Sequence, residues 1–276
     1  MLSLIFFPLE LLAPAEKGQP LSKRLFNLVY VPLFLALALF VLQPLSNLLA
    51  SRVLILSRGG IVPPLTNPTG RVEQFMFAFA FAVMWDFWQY WLHRLQHKIP
   101  WLWETHKFHH SETALNATTQ ARQHFLSYLL SVVFYLPVLI VFGAQTPHYL
   151  AVFVMFRLWG FVNHANVRIN LGALTAIISG PQWHRIHHSI RVEHQDRNFA
   201  TFFPLVDLVF GTYYHPQRNE YPPSGLVGGE EARVLREATI GPFVAWYQAG
   251  LLRLSKLTVG GREMRFKLPT RARKRL

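Results

Sequence analysis

The sequence predicts an all-α fold: an integral membrane bundle of about four transmembrane helices carrying a cytosolic, histidine-rich helical cap. Three observations lead there. Apolar residues make up 51% of the 276 positions and charged residues only 15%, below the roughly 25% usual for soluble globular domains. Four apolar stretches alternate with polar, basic regions. Most of the 13 histidines fall in short clusters rather than singly. The 23 Phe and 8 Trp suit helices that face lipid and the headgroup belt.

Taken in order, Met1 to Ala13 is apolar but lacks a basic leader and contains Glu10, which predicts a segment lying in the interface. The first span is expected from about Leu25 to Leu42. A loop from Pro44 to Gly70, rich in Pro, Gly and Asn, should follow. The second span is expected from about Val72 to Leu92 with Asp86 near its end. The third, Phe125 to Phe142, has no charge, and the fourth, Tyr149 to Val162, is short and contains Arg157. A span needs about 20 mostly apolar residues. The short link Gly143 to Pro147 predicts a helical hairpin. Sixteen of the 27 Lys and Arg residues lie from Arg168 onward. The positive-inside bias therefore puts both termini and both polar regions on the cytoplasmic side. Three regions result: residues 1–70 with the first span, a catalytic region 71–216, and a basic C-terminal region 217–276.

The histidines carry the chemistry. His93 and His97 read H-R-L-Q-H, His106, His109 and His110 read H-K-F-H-H, and His184, His187 and His188 read H-R-I-H-H. His164 stands alone in N-H-A-N. Residues three and four apart share a helical face, so each motif forms a small claw of imidazoles. Nine ligands are too many for one ion and suit two ions with four or five each. Imidazole fits iron, zinc, copper or nickel, so ligand type leaves the metal open. His148 and His215 read as packed or solvated residues, and His124 and His194 as marginal candidates. With no cysteine in the chain, thiolate haem, iron–sulfur and Cys-type zinc sites are excluded.

The set D-F-W-Q-Y-W-L-H-R-L-Q-H, L-W-E-T-H-K-F-H-H-S, N-H-A-N and P-Q-W-H-R-I-H-H-S, followed by D-R-N-F and F-G-T-Y, resembles the fatty acid hydroxylase superfamily of sterol desaturases, fatty acid hydroxylases and alkylglycerol monooxygenase. The resemblance covers about Asp86 to Pro216. It implies two iron ions held on the cytosolic face by His93, His97, His106, His109, His110, His164, His184, His187 and His188. It also implies O2-dependent hydroxylation or desaturation of a lipid. Arg168 stands where several relatives carry a further histidine.

Around the claws, Asp86, Asn163, Asn166, Asp196 and Asn198 are expected to steady the histidines from behind. The aromatic run Trp85, Phe87, Trp88, Tyr90 and Trp91 predicts an interfacial belt, or else the wall of a lipid channel. No dinucleotide, flavin, haem or iron–sulfur motif is present, so electrons are expected from an external cytochrome b5, ferredoxin or reductase docking on the basic face. No nucleic-acid partner is expected. The competing readings are a zinc-dependent membrane hydrolase, using Glu104, Glu112 or Glu193 as base, and a non-enzymatic metal-binding scaffold.

Overall fold

The computed structural model describes residues 6–56, 70–142, 147–229, 231–232, 234–255, 258–259 and 262–263. Helix dominates. Helix α1 (Phe7–Leu12) is short, and α2 (Leu21–Leu37) runs through a π turn (Ala38–Leu42) into α3 (Gln43–Leu56). Helices α4 (Arg71–Lys98), α5 (Pro100–His110), α6 (Phe125–Phe142) and α7 (Pro147–His164) follow. The short α8 (Pro181–His187) and α9 (Leu205–Val209) precede α10 (Leu235–Ser255). The strand pairing among the described residues is a two-residue ladder, Thr258 opposite Glu263.

The expected loop from Pro44 is corrected at its start: the chain stays helical to Leu56. Proline cannot donate the next helical hydrogen bond and its ring crowds the carbonyl four residues back. The π turn just before it relieves that conflict, and two expected segments become one apolar helix. The remainder of that loop, the link 143–146 and most of the basic tail lie outside the described residues.

Two helices, Leu21–Val53 and Phe125–Phe142, are long and apolar enough to cross a bilayer. Only 22% of the most apolar stretch of each is buried, which is the pattern of lipid-facing rather than core helices. The apolar part of α7, Leu150–His164, is shorter. In α1, Glu10 is buried while Leu9, Leu11 and Leu12 are exposed. Glu10 pairs with Arg24 and accepts the backbone N–H groups of Ala117 and Asn166, both at 2.8 Å. The N-terminal segment is thereby pinned against the histidine-bearing half.

One apolar core joins α4, α6 and α7 through Phe81, Trp85, Val138, Val152 and Phe156, with Trp85 stacked on Tyr135 at 3.8 Å. A second, made of Tyr90, Trp183, Phe199 and Ala200, lies under the histidines. The belt reading therefore fails for Trp85 and Tyr90, which are buried.

Two proline-started helices bring the claws together. Ile99 is extended (φ −102°, ψ 113°), as a residue preceding proline is pushed to be. The chain turns there, and α5 begins at Pro100, where a missing N–H does no harm. Gly180 and Pro181 repeat the device for α8.

Candidate metal centre

The structure brings all nine clustered histidines together, in two adjoining groups. His93, His97, His106, His110 and His187 form one, and His109, His164, His184 and His188 the other; within each, the candidate ligand nitrogens lie within 4.8 Å of one another. Rings of the two groups touch, with His110 and His188 stacked at 4.3 Å. Each H-x-x-H-H motif is split. The pair four apart stays in one group, and the histidine between them turns to the other. Successive helical residues point about 100° apart, so two adjacent histidines cannot face one ion.

The nitrogen geometry fits cations. His110 Nε2 lies 3.1 Å from Nε2 of His97, His106 and His187 alike. A single ring proton can satisfy only one such neighbour, so three or more lone pairs converge without enough hydrogens. In the other group His164 Nε2 is 3.0 Å from His109 Nε2 and 3.1 Å from His184 Nε2, which is 3.2 Å from His188 Nε2. Imidazole–metal bonds of about 2.1 Å at right angles give nitrogen–nitrogen edges of about 3 Å. The buried Nε2 of His93 has no hydrogen-bond partner.

Four of the opposite ring nitrogens meet backbone carbonyls, while the buried Nδ1 atoms of His106, His184 and His188 have no hydrogen-bond partner among the described residues. A carbonyl can only accept, so Nδ1 donates at each of these contacts. His93 donates to Phe199 O at 2.8 Å, His187 to Arg197 O at 2.8 Å, His164 to Gly160 O at 2.6 Å and His109 to Arg122 O at 3.3 Å. Fixing Nδ1–H leaves the Nε2 lone pair facing inward. Burial first, and then the neighbouring imidazoles, holds His106, His109, His110, His184 and His188 well below the usual imidazole value of 6.5. They stay neutral and able to bind metal near pH 7.

The expected supporting residues need correction, because none of Asp86, Asn163, Asn166 or Asn198 bonds a clustered histidine. Asp86 accepts backbone N–H groups of Thr201, Phe202 and Phe203 at 2.6–3.3 Å. Asn198 is tied to Trp183 O, Tyr214 O and Tyr214 N. Asn163 bonds Ser179 and Thr201 O, and Asn166 bonds Glu16 and Arg185. Asp196 is the exception in reach, with Oδ1 3.9 Å from His97 Nδ1 and Oδ2 2.6 Å from Lys98 Nζ. His124 and His194 lie outside both groups: His124 donates to Thr239 O, and His194 meets Ser189 and Glu220. His215 is exposed, and Arg168 stacks over Tyr221.

These corrections expose one shared device. Asp207, which sequence reasoning missed, accepts N–H of Phe199 and Ala200 at 2.8 Å. With Asp86 it clamps five consecutive amides, 199 to 203. That loop supplies the Phe199 carbonyl that orients His93. Asp196 (φ 57°) and Asn198 (φ 61°) hold left-handed backbone, which Asp and Asn tolerate best among residues with a Cβ. Arg122 was also missed. Its guanidinium binds Phe108 O, Asn27, Ser111 and Ala232 O, while its own carbonyl holds His109. A lone carboxylate in P-L-V-D-L-V-F-G was the available signal for Asp207. Glu112 is buried and tied to Asn27 and the Ala114 N–H, so it is engaged away from the histidines.

A cavity of about 140 Å³ opens beside the groups. His93, His106, His109, His164 and His184 line one end, and Trp85, Tyr135, Phe153 and Phe156 form apolar walls.

Residues 78–212 match the family model for fatty acid hydroxylase. The chain is 36% identical over 129 residues to human alkylglycerol monooxygenase, covering 46% of this chain and 28% of that protein. It is 31% identical over 143 residues to an ornithine lipid hydroxylase of Rhizobium tropici, 52% of this chain and 43% of the relative. It is 29% identical over 139 residues to a Delta(7)-sterol 5(6)-desaturase of Gibberella zeae, 50% and 38% of the two chains. The match thus spans less than half of these curated relatives. No solved structure matches the chain significantly.

Proposed function

Residues 78–212 of this chain belong to the fatty acid hydroxylase family, and from that premise we propose that the protein is a membrane-bound oxidoreductase that hydroxylates or desaturates a lipid with O2. His93, His97, His106, His110 and His187 hold one iron ion, and His109, His164, His184 and His188 a second. The observation that carries the reading is the convergence of nine buried or half-buried imidazoles in two groups of coordinating size. The names of the relatives, a monooxygenase, a lipid hydroxylase and a sterol desaturase, support lipid oxidation.

When bound, the iron pair supplies O2 activation and the oxidation of an unactivated C–H bond. The chain does the rest. The carbonyls of Arg122, Gly160, Arg197 and Phe199 hold the imidazoles of His109, His164, His187 and His93 in one tautomer, and burial keeps the set uncharged. The walls formed by Trp85, Tyr135, Phe153 and Phe156 take up an aliphatic chain and exclude water from the end where the histidines stand. Helices α4 and α7 set that end just outside the hydrocarbon layer, on the cytoplasmic side with both termini. Region 71–216 is the catalytic part. The flanking regions 1–70 and 217–276 anchor it, and electrons arrive from an external cytochrome b5, ferredoxin or reductase.

Host-cell lipidomics under isotopically labelled O2 tests this reading. Cells with the wild-type chain should gain a lipid that either carries the label or has lost two hydrogens, and cells with His109→Ala or His187→Ala should lack it. A product that persists in both variants, or forms without O2, contradicts the proposal.

A further inference from the structure

One cation sits where an apolar helix has no reason to carry it. Arg157 lies on α7 seven residues before His164, so its Cα is about 10 Å along the helix axis from the histidine end. It lines the cavity and is exposed. Its guanidinium lies over the Phe153 ring at 5.1 Å, and among the described residues it has no carboxylate partner. The buried carboxylate of α4, Asp86, is consumed by the amides of residues 201–203. A charge within a bilayer is costly unless paired or bound to a ligand. The cavity also carries polar groups on several elements: Gln89 on α4, Ser131 and Tyr128 on α6, and Gln120 and Gln123 beside the turn that follows α5. Gln89, Gln123, Tyr128 and Ser131 each have a partner within the protein, so it is the Arg157 charge that a wholly aliphatic occupant would leave unmatched.

We propose that Arg157 is the recognition point for an anionic headgroup, phosphate or carboxylate, of the lipid that occupies this cavity. The arrangement rests on the membrane-bound, lipid-oxidising reading above. The occupant lies with its anion at Arg157 and its chain along Trp85, Tyr135, Phe153 and Phe156. Tyr128 and Ser131 line the same wall with their hydroxyls already donated to Gln43 Oε1 and the Ser127 carbonyl, which leaves Arg157 as the charge that meets the anion. A fork of guanidinium donors suits planar carboxylate and phosphate oxygens better than an ammonium does, and an unpaired cation in a low-dielectric wall favours an anion over a neutral group of the same shape.

Binding to the full-length, metal-free protein in neutral detergent tests this. Native mass spectrometry compares oleoyl lysophosphatidate with monooleoylglycerol, which differ by one phosphate. Wild type should prefer the phosphate-bearing lipid by about tenfold or more. Arg157→Gln should remove most of that preference and leave monooleoylglycerol binding unchanged, while Arg157→Lys should keep part of it. Arg52→Gln, an exposed arginine on α3 away from the cavity, should change nothing. Glycerol phosphate added in excess should not displace the lipid. Equal binding of the two lipids by wild type overturns the proposal, as does equal loss of both in Arg157→Gln. A matching loss in Arg52→Gln would assign the preference to a general anionic annulus, and displacement by glycerol phosphate would assign it to a free-anion site. Because no metal or turnover is involved, failure here leaves the oxygenase reading intact, and absence of iron or of oxidised product does not bear on this result.

Discussion

His110 is the residue on which the five-membered group turns, since its Nε2 stands 3.1 Å from three other imidazoles. His110→Ala should abolish activity and remove about one of two irons per chain, read by metal analysis of purified protein. A pH dependence follows from the same crowding. Burial lowers the folded-state values of these histidines below 6.5, so the unfolded chain binds more protons once pH falls through about 6.5. Stability of the metal-free protein should therefore be full above that value and decline below it. Thermal unfolding of chelator-treated protein from pH 8 to pH 5 checks the sign, and a midpoint that rises on acidification would contradict it. The nine histidines were legible in the sequence because spacing of three and four is a property of the helix itself. Their partition was not. H-x-x-H-H permits either later histidine to join the first, and only the relative placement of α5 and α8 selects the one four away.

At the scale of elements, the loop 196–203 holds two of the clustered imidazoles without adding a side chain to either group. Its Arg197 and Phe199 carbonyls hold His187 and His93, and its amides are held by Asp86 and Asp207. Each of these carboxylates accepts charge-assisted bonds in a buried setting, where leaving donors unmet costs about 1–3 kcal/mol. Asp207→Asn and Asp86→Asn should each lower stability by about that amount and raise the iron dissociation rate, while leaving the nine ligands in place. Unchanged iron retention in both would remove the loop from any orienting role. Asn198→Ala should act in the same direction, because it loses both the left-handed preference and the bonds to Trp183 and Tyr214. Asp86 stood out in the sequence as a carboxylate in an apolar helix, yet its partners did not. They are backbone amides more than a hundred residues away, which carry no residue-type signature. The helical path through Pro44 was hidden for a related reason: proline reads as a break unless a π turn precedes it.

For the whole molecule, the helix Leu21–Val53 spans 33 residues, about 50 Å at 1.5 Å per residue, against a hydrocarbon core of roughly 30 Å. A helix of that length that crosses a bilayer has to tilt or project beyond it. The protein should stay in the membrane pellet through alkaline carbonate washing, and reporters fused to either terminus should both read cytoplasmic. Release by carbonate, or reporters on opposite sides, would overturn the membrane arrangement. The class of fold was legible from composition and long apolar runs. Of the four expected spans, two are long and apolar enough to cross a bilayer, whereas α4 mixes Asp86, Gln89 and histidines into its apolar sequence.

The central claim is that two separate histidine groups each hold one iron. Its most direct test is metal stoichiometry after anaerobic iron loading of the wild-type chain, of His110→Ala and of His188→Ala, one variant in each group. The account predicts two irons per chain in the wild type and about one in each variant. A single iron in the wild type, or full loading of both variants, would contradict it.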